Sequence, residues 1–193
     1  MILKSPTLAP VLMIRPGATE LDDQQRIKGS LDMPMSDRGV QQVNQLADEL
    51  ADVHIRMIFT APDESARETA RRLAVGRDIR VKVIDAFRNV DHGLWHGKLI
   101  DEVRRNHPRV YRQGIDTPVE LCPPQGERIS EARARVTKSL KKCLRKSRDG
   151  VIAIVAPDPI ATVLHSLISG QELRNLWSSE LDDGSWCFID NSH

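Results

Sequence analysis

The apolar run Val11-Leu12-Met13-Ile14 breaks at Arg15-Pro16-Gly17, and the rest of the chain is arranged around that break. Four consecutive apolar residues ended by turn-formers predict a buried strand. An arginine at the end of such a strand, followed by a glycine turn, points into a site where strand ends meet ligand. Val151–Ala156 is the strongest run of the same kind, and Pro157-Asp158-Pro159 follows it directly. If both runs lie in one sheet, Arg15 and Asp158 come close together.

The intervening pattern fills in the fold. Ser36 is an N-cap for a helix whose Val40, Val43, Leu46, Ala47 and Leu50 recur at helical spacing. Ile55–Thr60 reads as a short strand, and Pro62-Asp63 opens a helix through Ala74. Ile79–Ile84 alternates apolar and polar residues, which suits a strand at or near a sheet edge. Ala86–Gly97 is an irregular loop, Lys98 to about Asn106 a short helix that stops before Pro108, and the segment to Gly126 is proline-rich and poor in pattern. Glu127–Lys146 is a long amphipathic helix, Asp158-Pro159 an N-cap with proline at N1, and Trp186–Ile189 a last strand. Strands alternating with helices predict a three-layer α/β fold on a mostly parallel sheet. At 193 residues this is a single domain, with about 98–126 as a cap or insertion within it.

Composition narrows the function classes. Hydrophobic residues are 40%, charged residues 28% and the formal net charge is +1, which describes an ordinary soluble globular chain without a field that would select nucleic acid or membrane. No apolar run approaches the roughly 20 residues of a spanning helix. The start, MILKSPTLAP, makes a poor signal peptide. Cys122, Cys143 and Cys187 are odd in number and widely spaced, so they suit reduced, packed thiols in a cytoplasmic protein. His92 and His96 find no third ligand at suitable spacing, so neither a metal nor another cofactor is expected.

Several motifs in order resemble the histidine phosphatase superfamily, of the phosphoglycerate mutase-like fold. These are Arg15-Pro16-Gly17 with Thr19, Arg26-Ile27-Lys28-Gly29, Asp32–Ser36 with Gly39 and Gln42, and Thr60-Ala61-Pro62 with Ala66–Ala70. Further on come Phe87–Gly97 with Gly93, Trp95 and Gly97, then Pro124-x-Gly126-Glu127, and Val151–Pro157. The resemblance covers most of the chain and implies a bacterial-type soluble phosphatase scaffold. In that family two arginines and two histidines surround the phosphoryl group, one histidine is the nucleophile, and a glutamate usually donates the proton. By that resemblance Arg15 is retained, whereas the nucleophile falls on Pro16, the second arginine on Ser65, the glutamate on Asn89 and the second histidine on Pro157.

A proline has no lone pair for phosphorus, and groups that act as a unit fail together. The residues therefore predict a non-catalytic member, with no catalytic residue at these positions. It would act by binding a protein partner or a small anionic ligand through a vestigial pocket of Arg15, Gly17, Arg26, Asp91, His92, His96 and Asp158. An unpaired arginine at a buried strand end is costly, so Arg15 is expected to pair with Asp158, or failing that with Asp91. One alternative is a phosphatase or hydrolase with a relocated site around Arg15, His92, His96 and Asp158. Another uses the basic helix 128–148 to hold an acidic partner or nucleic acid, although the absence of interleaved aromatics disfavours nucleic acid. A homodimer stays open.

Overall fold

A computed structural model describes residues 10–146, 150–177 and 182–189. The N-terminal tail, Arg148 of the basic helix and His193 lie outside the described residues.

Five strands form one sheet: β1 (Val11–Ile14), β2 (Ile55–Thr60), β3 (Arg80–Val83), β4 (Val151–Val155) and β5 (Trp186–Ile189). Their order is β3-β2-β4-β1-β5. The first four run parallel, and β5 joins β1 antiparallel with Ile14 opposite Trp186. β1 is fully buried and β4 nearly so, as central parallel strands covered on both faces must be. Edge strand β3 carries exposed Arg80 and Lys82, charges that discourage edge-to-edge pairing.

Among the described residues, seven α-helices complete the three layers: α1 (Glu20–Asp23), α2 (Asp37–Glu49), α3 (Glu64–Ala74), α4 (Ile100–Asn106), α5 (Pro108–Asp116), α6 (Ile129–Leu144) and α7 (Ile160–Ser169). α2 packs on α3, which lies over β2, β3 and β4, while α6 packs on α7, which lies against β1 and β5. Ser36 caps α2 by accepting a hydrogen bond from the Gly39 amide. α6 buries Ile129, Ala132, Val136, Leu140 and Cys143 on one stripe. Burial pushes the Cys143 thiol up to about 12, so it behaves as a packed apolar group.

Two helices depart from the sequence expectation. α1 lies in a loop without periodicity, held by Thr19, whose amide and hydroxyl both donate to Asp22 at 2.8 and 2.7 Å. α5 occupies part of the pattern-poor segment, because Pro108 ends one helix and serves as the first residue of the next. Asp158 also sits one residue further from α7 than expected: Pro159 is the N-cap, and Asp158 reaches in to accept from the Thr162 amide at 3.0 Å and its hydroxyl at 2.7 Å.

α2 approaches the turn after β1 so closely that a Cβ on Gly39 would stand 2.1 Å from the Ala18 carbonyl oxygen, a backbone atom that cannot yield. Gly39→Ala is therefore expected to cost about 1–3 kcal/mol, read as a lower urea midpoint at unchanged m-value.

Candidate functional site

The carboxyl ends of β1 and β4 open into a cavity of about 580 Å3. Arg15, Arg26, His92 and Asp158 line it together with Lys28, Asp22, Asp183 and an apolar wall that includes Leu121 and Trp177. Ligands in doubly wound sheets bind at this end, because the loops there are free to carry polar groups.

Arg15 pairs with Asp158 as its position at the strand end predicts, with Nε 3.0 Å from Oδ2. A second carboxylate joins it: Asp183 Oδ1 lies 2.7 Å from Arg15 Nη2. Asp91, the other expected partner, instead accepts from the Gly93 amide at 2.8 Å. Burial raises the Asp183 carboxyl above its ordinary value, against the pull of Arg15. Asp22 lies below its ordinary value. Its burial would raise it, but Lys28 at 3.0 Å and the two hydrogen bonds from Thr19 outweigh that.

Of the two loop histidines, only His92 lines the cavity. Its Nδ1 is 3.1 Å from the Val90 carbonyl oxygen, so Nδ1 carries the proton and Nε2 keeps its lone pair. Burial lowers His92 from 6.5 to about 4, which leaves the ring neutral over the physiological range. His96 turns away, and its Nε2 accepts from the amides of Ser30 and His92 at 3.2 and 3.3 Å, closing the loop on itself.

The proton linkage of His92 has a definite sign. A folded value of about 4 against 6.5 in the unfolded chain means that the unfolded chain binds the proton more readily. Stability present above pH 6.5 is lost as the pH falls toward about 4. Urea midpoints across that range should fall for the native chain, and His92→Gln should remove this part of the slope.

The remaining predicted positions have structural roles. Gly17 donates its amide to Thr69 Oγ1 at 3.2 Å and packs under α2, away from the cavity lining. Asn89 donates to the carbonyls of Gly29 and Asp158 at 2.9 and 2.7 Å, tying the histidine loop to the end of β4. Pro16 and Pro157 are buried, and the Pro16 carbonyl accepts from the Gly184 amide at 2.9 Å. Ser65 is buried, with no partner for its hydroxyl among the described residues. Arg26 donates to the Gly97 carbonyl at 2.6 Å while still lining the cavity. On the basic helix, Arg135 is held bidentately by Glu127 at 2.7 and 2.8 Å and does not belong to an open cationic face.

Sequence reasoning missed Lys28, Asp22, Asp183 and Trp177 as site residues. Asp183 sits in the turn that leads into β5, and its place beside β1 follows only from the antiparallel pairing of β5. Among the described residues no group of three or more His, Cys, Asp or Glu side chains is arranged to hold a metal ion, and no helix is long and apolar enough to cross a membrane.

A mostly parallel sheet between helical layers, with a polar cavity at the carboxyl ends of its strands, defines a three-layer α/β protein. The chain belongs to the histidine phosphatase superfamily (branch 1), whose family model matches residues 11–193. It is similar to phosphoserine phosphatase 1 of Hydrogenobacter thermophilus, 25% identical over 182 residues, covering 94% of this chain and 86% of that protein. Among solved structures, YhfR of Bacillus stearothermophilus superposes with a TM-score of 0.81 at 24% identity, over 93% of this chain and 90% of that one. A mycobacterial glucosyl-3-phosphoglycerate phosphatase gives 0.82 at 20% identity, over 93% and 90%. These two likenesses show the shared fold.

The family match and the phosphatase relative correct the expectation of a non-catalytic, binding-only protein. That expectation judged chemistry only at the positions where the family places it. The cavity is open, and His92 brings a neutral imidazole to its wall from outside the positions that expectation considered.

Proposed function

We propose that this protein is a phosphomonoester hydrolase acting on small substrates in the cavity at the ends of β1 and β4. The observation that carries this is the convergence of Arg15, Arg26 and Lys28 with the neutral ring of His92 on one cavity. Phosphoryl transfer needs cations for three charged oxygens and a nucleophile with a free lone pair. His92 Nε2 is the atom of the second kind, and its attack forms an N–P bond as the ester P–O bond breaks. The proton for the leaving oxygen comes from a carboxyl group beside Arg15, where Asp158 and Asp183 converge. Water, giving a proton back to that carboxylate, then attacks the phosphohistidine and the N–P bond breaks, which releases phosphate and restores both the imidazole and the carboxyl group.

The segment 98–126 acts as a cap in this scheme, since Leu99, Ile100, Asp101, Arg105 and Leu121 form the outer wall and limit substrate size. A cytoplasmic setting suits Cys122, Cys143 and Cys187, none of which is in a disulfide among the described residues. The test is phosphate release from a panel of small phosphomonoesters, phosphoserine among them. Turnover is expected, with a loss of about 100-fold or more in both Arg15→Ala and His92→Gln. Turnover undiminished in both variants would refute this assignment of the site.

A further inference from the structure

Arg15 faces two carboxylates that are held in different ways. Asp158 is anchored, since its Oδ1 accepts from both the amide and the hydroxyl of Thr162. Asp183 is held by charge alone among the described residues: Arg15 Nη2 lies at 2.7 Å and Arg38 Nη2 at 3.7 Å, with Lys28 acting from further off. The backbone brings it there, because the Arg15 amide donates to Ser185 and the Gly184 amide donates to Pro16, both at 2.9 Å. One oxygen of the Asp183 carboxylate thus covers the Nη2 end of the guanidinium, a position that an oxygen of any other anion on Arg15 would have to share or take over.

We propose that Asp183 is a built-in competitor that sets the anion affinity of the cavity, holding Arg15 closed until a ligand displaces its carboxylate or a proton neutralises it. This rests on the cavity being the phosphoryl site. The groups facing Asp183 are Arg15 at the end of β1, Arg38 on α2, Lys28 beyond α1, and the like-charged Asp22 on α1. Burial raises the Asp183 carboxyl, so acidification neutralises it more readily than an exposed aspartate. Removing one close like charge from an anion site near a protein surface is worth about tenfold or more in affinity.

The experiment is isothermal titration of the full chain with inorganic sulfate, a dianion between about pH 4 and pH 8, against Asp183→Asn and the neighbouring control Asp182→Asn. Asp183→Asn is expected to bind about tenfold more tightly near neutral pH, with Asp182→Asn unchanged. Native affinity should climb as the pH falls, and Asp183→Asn should lose much of that climb. Equal affinity in native chain and Asp183→Asn, no measurable binding by either, or an unchanged pH slope in the variant would overturn the proposal. Tighter sulfate binding by Asp183→Asn, with no phosphate release by the native chain, would leave this inference standing and remove the hydrolase assignment. Hydrolysis with no gain in the variant would do the reverse.

Discussion

Replacing Arg15 by Ala should lower folding stability by about 3–5 kcal/mol, the range for removing one partner of a buried ion pair. The Arg15, Asp158 and Asp183 side chains are only 13%, 15% and 19% exposed, so the truncation strands two carboxylates with little access to water. Asp158 keeps its hydrogen bonds from Thr162, whereas Asp183 keeps only Arg38 and the more distant Lys28. Arg15→Lys should recover part of the stability, because an ammonium can face one carboxylate but cannot span both as the guanidinium fork does. Urea denaturation of the three forms checks this. A loss under about 1 kcal/mol in Arg15→Ala would show that the strand-end charges are better hydrated than their burial implies.

Trp95→Ala should be comparably damaging, at about 3–5 kcal/mol. Trp95 is fully buried, with ring centroids 5.9 Å from both His107 and Trp177, and Trp177 in turn stacks on Tyr111 at 4.8 Å. The side chain therefore joins the His92 loop to α5 and to the apolar wall of the cavity, and its loss leaves a void under all three. Trp95→Phe should cost less, since it keeps most of the ring and removes an indole N–H that has no hydrogen-bond partner among the described residues. Thermal melts together with sulfate titration separate the two consequences. Trp95→Ala should lower both Tm and anion affinity, whereas Trp95→Phe should mainly keep the latter.

Much of the fold was legible because burial leaves a mark on sequence. Val11–Ile14, Ile55–Thr60 and Trp186–Ile189 occur as strands at the expected bounds, and the alternation of Ile79–Ile84 correctly placed β3 at or near an edge. α1 and α5 left no such mark: the first is four residues long with nothing buried, and the second buries only Gly114. The Arg15–Asp158 pair could be anticipated from topology, since β1 and β4 are neighbours in parallel register. Asp183 could not, because its position depends on a turn preceding an antiparallel strand. The two histidines show a further limit. Sequence put both near the site, but only the backbone decides that His92 faces the cavity while His96 bonds back onto its own loop.

The same limit explains the expectation of an inactive protein. It rested on Pro16 standing where the resemblance places the nucleophile, and a sequence scored position by position cannot show a neutral imidazole reaching the same cavity from another loop. The central claim is that His92 Nε2 accepts the phosphoryl group, and rapid-quench labelling tests it most directly. The native chain is mixed with a 32P-labelled phosphomonoester that it turns over, and the labelled peptide is then mapped. An acid-labile phosphoryl group should appear on His92 and be absent from His92→Gln. Label on a different residue, or turnover with no phosphoenzyme at any time point, would contradict it.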